Sequence, residues 1–170
     1  MAFLFPFFSN LRSIFLVCLL LISFFLLPEQ GEAITPPEIR SQRDQAISSD
    51  MQGKDLHGYE FVKEDLRGFN LKEADLRGAV FNNSQLQGAD FRGADLQDAV
   101  AFASLFENSD LRDANLTNAL LMESTFENAQ IEGADFTNSV LNRSEQKDLC
   151  SRAEGTNSTT GISTKESLGC

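Results

Sequence analysis

The sequence predicts an all-β solenoid: a four-sided coil of stacked five-residue units, with a short helix at each end. Three observations carry this. A large apolar residue returns at every fifth position, from Leu56 and Phe61 through Leu96 to Phe136 and Leu141, and only Ala101 departs from the type. Two residues earlier in each unit, from Ala74 to Ser144, every residue is Ala or Ser. Asp, Asn and Gly crowd the remaining positions, where they suit turns and positive φ. A period of five is neither the 3.6 of an α-helix nor the 2 of a strand, and an unbroken phase over many units means stacking. A chain that turns a corner after each pentapeptide closes one coil in four units. The large and small residues then point inward, and coils stack at the strand spacing of about 4.8 Å. A Leu-rich helical protein is the competing reading, and the recurrence of Gly, Asn and Asp opposes it.

The chain has 170 residues and a net charge of −11, which suits one domain and argues against binding nucleic acid, a task that needs cationic surface. Its first 33 residues read as a signal peptide. Arg12 is the only charge before the apolar run Ile14 to Leu27, Pro28 ends the run, and Gly31-Glu32-Ala33 offers a cleavage site after Ala33. An uncleaved membrane anchor is the alternative. Otherwise the membrane is met only during export. Cys18 follows Val17, where a lipoprotein acceptor needs a small residue. The absence of a Ser-rich, acid-poor stretch ahead of the run favours bacterial export over plastid import.

Residues 34–50 are expected to form an N-terminal helical cap. Thr35-Pro36-Pro37 reads as an extended linker, and Glu38 to Ser49 as a short helix over the open lower end, where Leu56 and Phe61 would otherwise be exposed. The coil itself is assigned to residues 51–144. Its first units carry Lys54, Tyr59, Glu64 and Phe69 at the small position, as expected where no earlier coil crowds the corner.

Residues twenty apart stack, so the residue before each core position forms four outer columns. One reads Asp55, Asp75, Asp95, Asn115, Asp135. Such carboxylates accept backbone hydrogen bonds at corners more readily than they bind a cation, and Arg77, Arg92 and Arg112 stand near to offset charge. No metal or cofactor is expected, and His57, the only His, has no partner for a zinc site. Another column reads Glu60, Val80, Val100, Leu120, Val140. With Phe102 and Met122, its members Val80, Val100, Leu120 and Val140 are expected to form one outward apolar patch, the candidate protein-contact face. Cover by the chain's own tail, an external partner or self-association, and a bulge that turns some of these residues inward are the three alternatives.

Residues 145–170 form the tail. Glu145 to Glu154 has helical spacing, Gly155-Thr156-Asn157 ends it, and Ser163 or Thr164 is placed to cap a last short helix before Leu168. Once the leader is removed two cysteines remain, Cys150 and Cys170. In an exported chain that pair reads as a disulfide, with free thiols or a redox pair as alternatives.

Units such as Ala74-Asp75-Leu76-Arg77-Gly78, Ala89-Asp90-Phe91-Arg92-Gly93 and Ala134-Asp135-Phe136 resemble the pentapeptide-repeat family, whose pattern is Ala-(Asp/Asn)-Leu-X-X. The resemblance implies a right-handed quadrilateral β-helix, a handedness that spacing does not give. The leader, the repeats, Leu149-Cys150-X-X-Ala153 and the run from Gly155 to Cys170 together look like the thylakoid-lumen members of cyanobacteria and plants. That implies a lumenal location, with the periplasm as alternative, and a tail disulfide. No convergent acid, base, nucleophile or metal set stands in the sequence, so a non-catalytic binding or scaffold module is expected, its protein partner unknown. The alternative is an acidic nucleic-acid mimic acting on an enzyme such as DNA gyrase, as other family members do. The export signal opposes it.

Overall fold

The computed structural model describes residues 48–170. The signal segment, its cleavage after Ala33, and the expected helix over Glu38 to Ser49 as far as residue 47 lie outside the described residues.

One pentapeptide shows why these residues coil. In Asp75 to Ala79 every backbone amide finds an acceptor, as buried backbone must. Asp75 donates down to the Lys54 carbonyl at 2.9 Å, Leu76 up to the Asp95 carbonyl at 2.8 Å, and Gly78 up to the Gln97 carbonyl at 2.9 Å. The Ala79 amide closes the turn on the Leu76 carbonyl at 3.0 Å. The fifth amide, that of Arg77, donates to Asp75 Oδ1 at 3.3 Å. An Asp or Asn before the core position is therefore part of the turn, an acceptor that the backbone lacks. The same contact recurs at Asp55, Asp65, Asn70, Asp90, Asp95, Asp110, Asn115 and Asp135.

Parallel bridges tie residues twenty apart, from Asp50 with Asn70 to Leu120 with Val140, and the register never slips. From Leu56 to Phe136 the second residue after each core position has positive φ, as the third residue of a type II turn must. Gly takes this place at Gly58, Gly78 and Gly93, while Ala103 holds it at φ 52°.

The interior is a column of aromatic and aliphatic side chains. Phe61 stacks on Phe81 with ring centroids 5.0 Å apart, and Phe106 on Phe126 at 4.9 Å. Phe91 meets Phe81 edge-on at 6.2 Å. Ala74, Ala79, Ala89 and their successors fill the corners and are buried. At the lower end Phe61 is wholly buried, with the Tyr59 ring 4.6 Å from its own. Leu56 is half-buried. The residue before each core position is not fully outward either. Most are half-buried, since they form the bridges, and Asp135 is buried.

Helix α1 spans Arg143–Ser151 and α2 spans Thr164–Ser167. The first helix starts two residues earlier than its spacing suggested, so Ser144 lies in α1 rather than in the coil. Ser163 caps α2, its side chain accepting the Glu166 amide at 3.2 Å.

The upper edge of the last coil would leave strand groups unpaired. Tail side chains satisfy them. Glu145 Oε2 accepts the Phe126 amide at 3.2 Å, and Ser167 Oγ accepts that of Phe136 at 3.0 Å. Arg152 donates to the carbonyls of Ala129 and Phe126. Asn157, buried to 1 % exposure, donates to the carbonyls of Asp113, Ala114 and Gly133 and accepts the amides of Thr159 and Thr160.

Candidate functional site

The four outer faces differ in what stands before each core residue, and one lacks the polar acceptor. Val80, Val100, Leu120 and Val140 are successive bridge partners, so they form an unbroken apolar strip along the coil. None of them supplies an oxygen for the amide two residues on. For Phe102 that amide is taken instead by Asn82 Oδ1, one coil below, at 2.9 Å. Leu120, Val140, Met122 and Phe102 are exposed, at 42, 41, 43 and 37 % respectively. Val80 and Val100 are half-buried, and Val62 extends the apolar surface downward at 43 % exposure. No bulge turns the strip inward, because its bridges stay in register.

The tail leaves most of this face open and approaches it only at the upper end, where Gln146, Leu168 and Gly169 line a pocket with Val140. Its hydrogen bonds go to the last coil at Phe126, Ala129, Gly133 and Phe136 and to the corner at Asp113 and Ala114. Of the three alternatives, cover of the whole strip by the tail is not what these contacts give, since Phe102, Leu120, Met122 and Val140 stay exposed. The edge groups of residues 126–136 are what the tail is fitted to.

Pentapeptide 99–103 stands at the centre of the strip and departs from its neighbours in three ways. Ala101 is small where the core column is otherwise large. Phe102 is a large apolar residue facing outward. Ala103 fills the left-handed turn position where the units before and after have Asp98 and Asn108, and such a conformation costs a non-Gly residue about 1–2 kcal/mol.

Carboxylates on the other faces are held by arginine. Arg77 chelates Asp75 with contacts of 2.8 and 2.5 Å and reaches Asp95 at 3.8 Å. Arg92 does the same with Asp90 and reaches Asp110 at 3.6 Å, and Arg67 and Arg112 chelate Asp65 and Asp110. The hydrogen bond from Arg77 holds the Asp75 carboxyl down to about 2, and those from Arg67 and Arg92 lower Asp65 and Asp90. Each pair sits inside one turn, so these acids serve the corners. Among the described residues no group of three His, Cys, Asp or Glu is arranged to hold a metal. His57 is exposed on the first coil.

A groove of about 610 Å³ runs between Lys72, Arg92 and Arg112 on the coil and Gly155 to Thr159 of the tail. All three of its cations are already committed to carboxylates, Lys72 to Glu73, Arg92 to Asp90 and Arg112 to Asp110. Cys150, on α1, is bonded to Cys170, with Cα atoms 5.6 Å apart.

Sequence reasoning missed two features. Ser84 and Ser124 stand at small corner positions and bridge the turns beneath them. Ser84 accepts the Glu64 amide and donates to the Phe61 carbonyl, and Ser124 does the same for Ser104 and Ala101. Asn157 is the other, since nothing near it in sequence hints at its three carbonyl acceptors.

The family model for pentapeptide repeats matches residues 65–98 and 104–143, in eight copies. The interval between the two matches is the aberrant unit 99–103. Among solved structures, the chain is similar to a pentapeptide repeat protein from the Arabidopsis thaliana thylakoid lumen, with 35 % identity over 71 % of this chain and 88 % of that one and a TM-score of 0.34. It is also similar to the pentapeptide repeat protein Rfr23 from the cyanobacterium Cyanothece 51142, at 25 % identity over 58 % of this chain and 68 % of that one, TM-score 0.39. A third is QnrB1, a plasmid-mediated fluoroquinolone resistance protein, at 24 % identity over 55 % of this chain and 61 % of that one, TM-score 0.40. No curated protein matches the chain. With eight copies of the repeat in one phase and a twenty-residue register throughout, the chain belongs to the pentapeptide-repeat family, whose members form right-handed β-helices.

Proposed function

We propose that this protein is a non-catalytic binding module of an exported compartment, and that its contact surface is the strip Val80, Val100, Leu120 and Val140 with Phe102 and Met122. The exposure of four of these side chains along one face is the observation that carries the reading. A joined apolar patch on a soluble rod marks a contact surface. The departures at 99–103 add to it, because local rules are broken most often where function requires it. The thylakoid lumen, or a periplasm, is the proposed location. The apolar leader and the two cysteines that remain after it support this.

A duplex mimic fits the surface less well. Asp65, Asp75, Asp90 and Asp110 are each chelated by an arginine in the same turn, which breaks up the continuous negative charge that a mimic needs.

The test is Phe102→Asp with Leu120→Asp in the protein recovered from its native compartment. Both positions face outward, so stability should stay within about 0.5 kcal/mol. Proteins that co-purify with the wild type should be lost. If the double variant keeps the same partners and oligomeric state, the face is not the contact surface.

A further inference from the structure

Beyond that reading, and without resting on it, we infer that the upper edge at residues 138–141 takes one extended, cationic peptide segment of a partner protein as the next strand of the coil. Each corner of a coil offers the coil above it three groups. They are the amide of the turn residue, the carbonyl of the residue after it, and the amide of the next core residue. One coil below the edge, at the same corner, all three are used. Asn118 donates to the Thr137 carbonyl, Leu121 donates to that of Val140, and the Ala119 carbonyl accepts the Val140 amide, each at 2.9 Å. On the last coil the chain's own end takes at least one group at each of three corners. Asn142 Oδ1 and Glu145 accept the amides of Glu123 and Phe126, Arg152 donates to the Ala129 carbonyl, and Glu154 and Ser167 accept the amides of Gly133 and Phe136. At the fourth corner the Asn138 amide, the Ser139 carbonyl and the Leu141 amide have no partner among the described residues.

These three groups set the register of the occupant. The pattern below asks for one residue that donates to Ser139 and accepts from Leu141, and for a carbonyl three residues earlier that accepts from Asn138. Between the two the segment turns as Thr137 to Val140 does, with Gly or Asn at positive φ, where Asn138 has φ 57°, and then a small residue. The doubly bonded residue falls over Val140, which is exposed, so a β-branched apolar side chain there continues the column. The edge opens on a pocket of about 340 Å³ whose far wall includes Gln146, Glu166 and Leu168. Glu166 is the only charged residue of its lining and is in no ion pair among the described residues, which favours Lys or Arg in the segment. Open strand groups of this kind are what strand addition uses. A second copy cannot stack a whole coil here, because the chain's own end occupies the other three corners.

The probe is the fluorescein-labelled peptide amide Lys-Thr-Gly-Ser-Val-Lys, titrated against the purified full chain by fluorescence anisotropy. The same peptide N-methylated at its Val lacks the donor to Ser139 and should bind about three- to tenfold more weakly, the scale of one hydrogen bond. Amide exchange followed by NMR reports the place of binding. With unlabelled peptide at about ten times its Kd, exchange at Asn138 and Leu141 should slow about tenfold, while Asn118 and Leu121, already bonded, should not change. Glu166→Gln should weaken binding about two- to threefold. Phe102→Asp, on the strip but outside the pocket, should leave the affinity unchanged, so failure here and failure of the contact face are read separately. No binding, equal binding of the N-methylated peptide, or slowing confined to other amides overturns the inference. Loss of binding on Phe102→Asp also overturns it, since the peptide would then lie on the strip. An affinity unmoved by Glu166→Gln overturns the choice of a cationic segment.

Discussion

The Ser124 hydroxyl donates to the carbonyl of Ala101, one coil below, and in doing so closes a turn that the backbone leaves open. The same oxygen accepts the Ser104 amide at 2.9 Å. Most corners close by a direct amide-to-carbonyl bond, as Ala99 does on Leu96 at 3.0 Å. Ser109 occupies an equivalent corner and is buried, but its hydroxyl has no partner among the described residues.

Two serines of one type at equivalent positions should therefore respond oppositely. Ser124→Ala removes an acceptor from the Ser104 amide and a donor from the Ala101 carbonyl, and should cost about 1–3 kcal/mol. Ser109→Ala removes an unpaired buried hydroxyl and should be neutral or stabilising by up to about 1 kcal/mol. Urea melts of the two variants decide it, and equal losses would show that the serines play the same part.

Ala103 gives a prediction of opposite sign to most mutations. It holds φ 52° with its Cβ in place. Ala103→Gly relieves about 1–2 kcal/mol of left-handed strain and gives back part of that through the freer unfolded chain. A net gain of up to about 1 kcal/mol is expected in denaturant melts. A loss would mean that the Ala103 methyl makes packing contacts worth more than the strain.

The acid limb of stability should report the chelated carboxylates. The Asp75 carboxyl titrates at about 2 in the folded chain against an ordinary 3.8, because Arg77 hydrogen-bonds its charged form. A depressed folded value means that the contribution is present in full above about pH 4 and is lost as pH falls through about 2. Both side chains are partly exposed, so screening keeps the effect modest. Melting temperature followed from pH 6 to pH 2 should fall mainly below 4, and Asp75→Asn should flatten that fall. An unchanged profile in Asp75→Asn would assign the acid sensitivity to other groups.

The Cys150–Cys170 bond spans a sequence separation of 20. Closing such a loop contributes about 3 kcal/mol by restricting the unfolded chain. Thiol-blocking before reduction should leave both cysteines unmodified in the purified protein, and reduction should lower the melting temperature without unfolding the coil, whose coil-to-coil bonds do not pass through the tail. Two cysteines labelled before reduction would mean that the thiols are free in the working state.

Much of this molecule is legible because a coil with a fixed period places residues by arithmetic. Val80, Val100, Leu120 and Val140 fall on one face for the same reason that Leu76 and Leu96 fall inside. Contacts outside the period are not legible in this way. The Tyr59 ring packs 4.6 Å from that of Phe61, and a spacing argument treats Tyr59 only as an oversized corner residue. Ser124 and Ser109 read alike in sequence, although one is bonded twice and the other not at all. The position of the tail depends on Asn157 reaching carbonyls 24 to 44 residues away, at Gly133 and Asp113, and helical spacing in residues 145–154 carries no trace of that. Spacing therefore left cover of the apolar face by the tail as an open alternative, whereas the tail's polar side chains suit the coil's unpaired edge.

The contact face is tested most directly by placing a photo-crosslinking residue at Phe102 and, separately, at Arg92 on another face, and irradiating each protein in its native compartment. A discrete adduct from position 102, absent from position 92, is the predicted result. No adduct at 102, or the same adducts from both positions, would contradict the assignment of this face as the surface through which the protein acts.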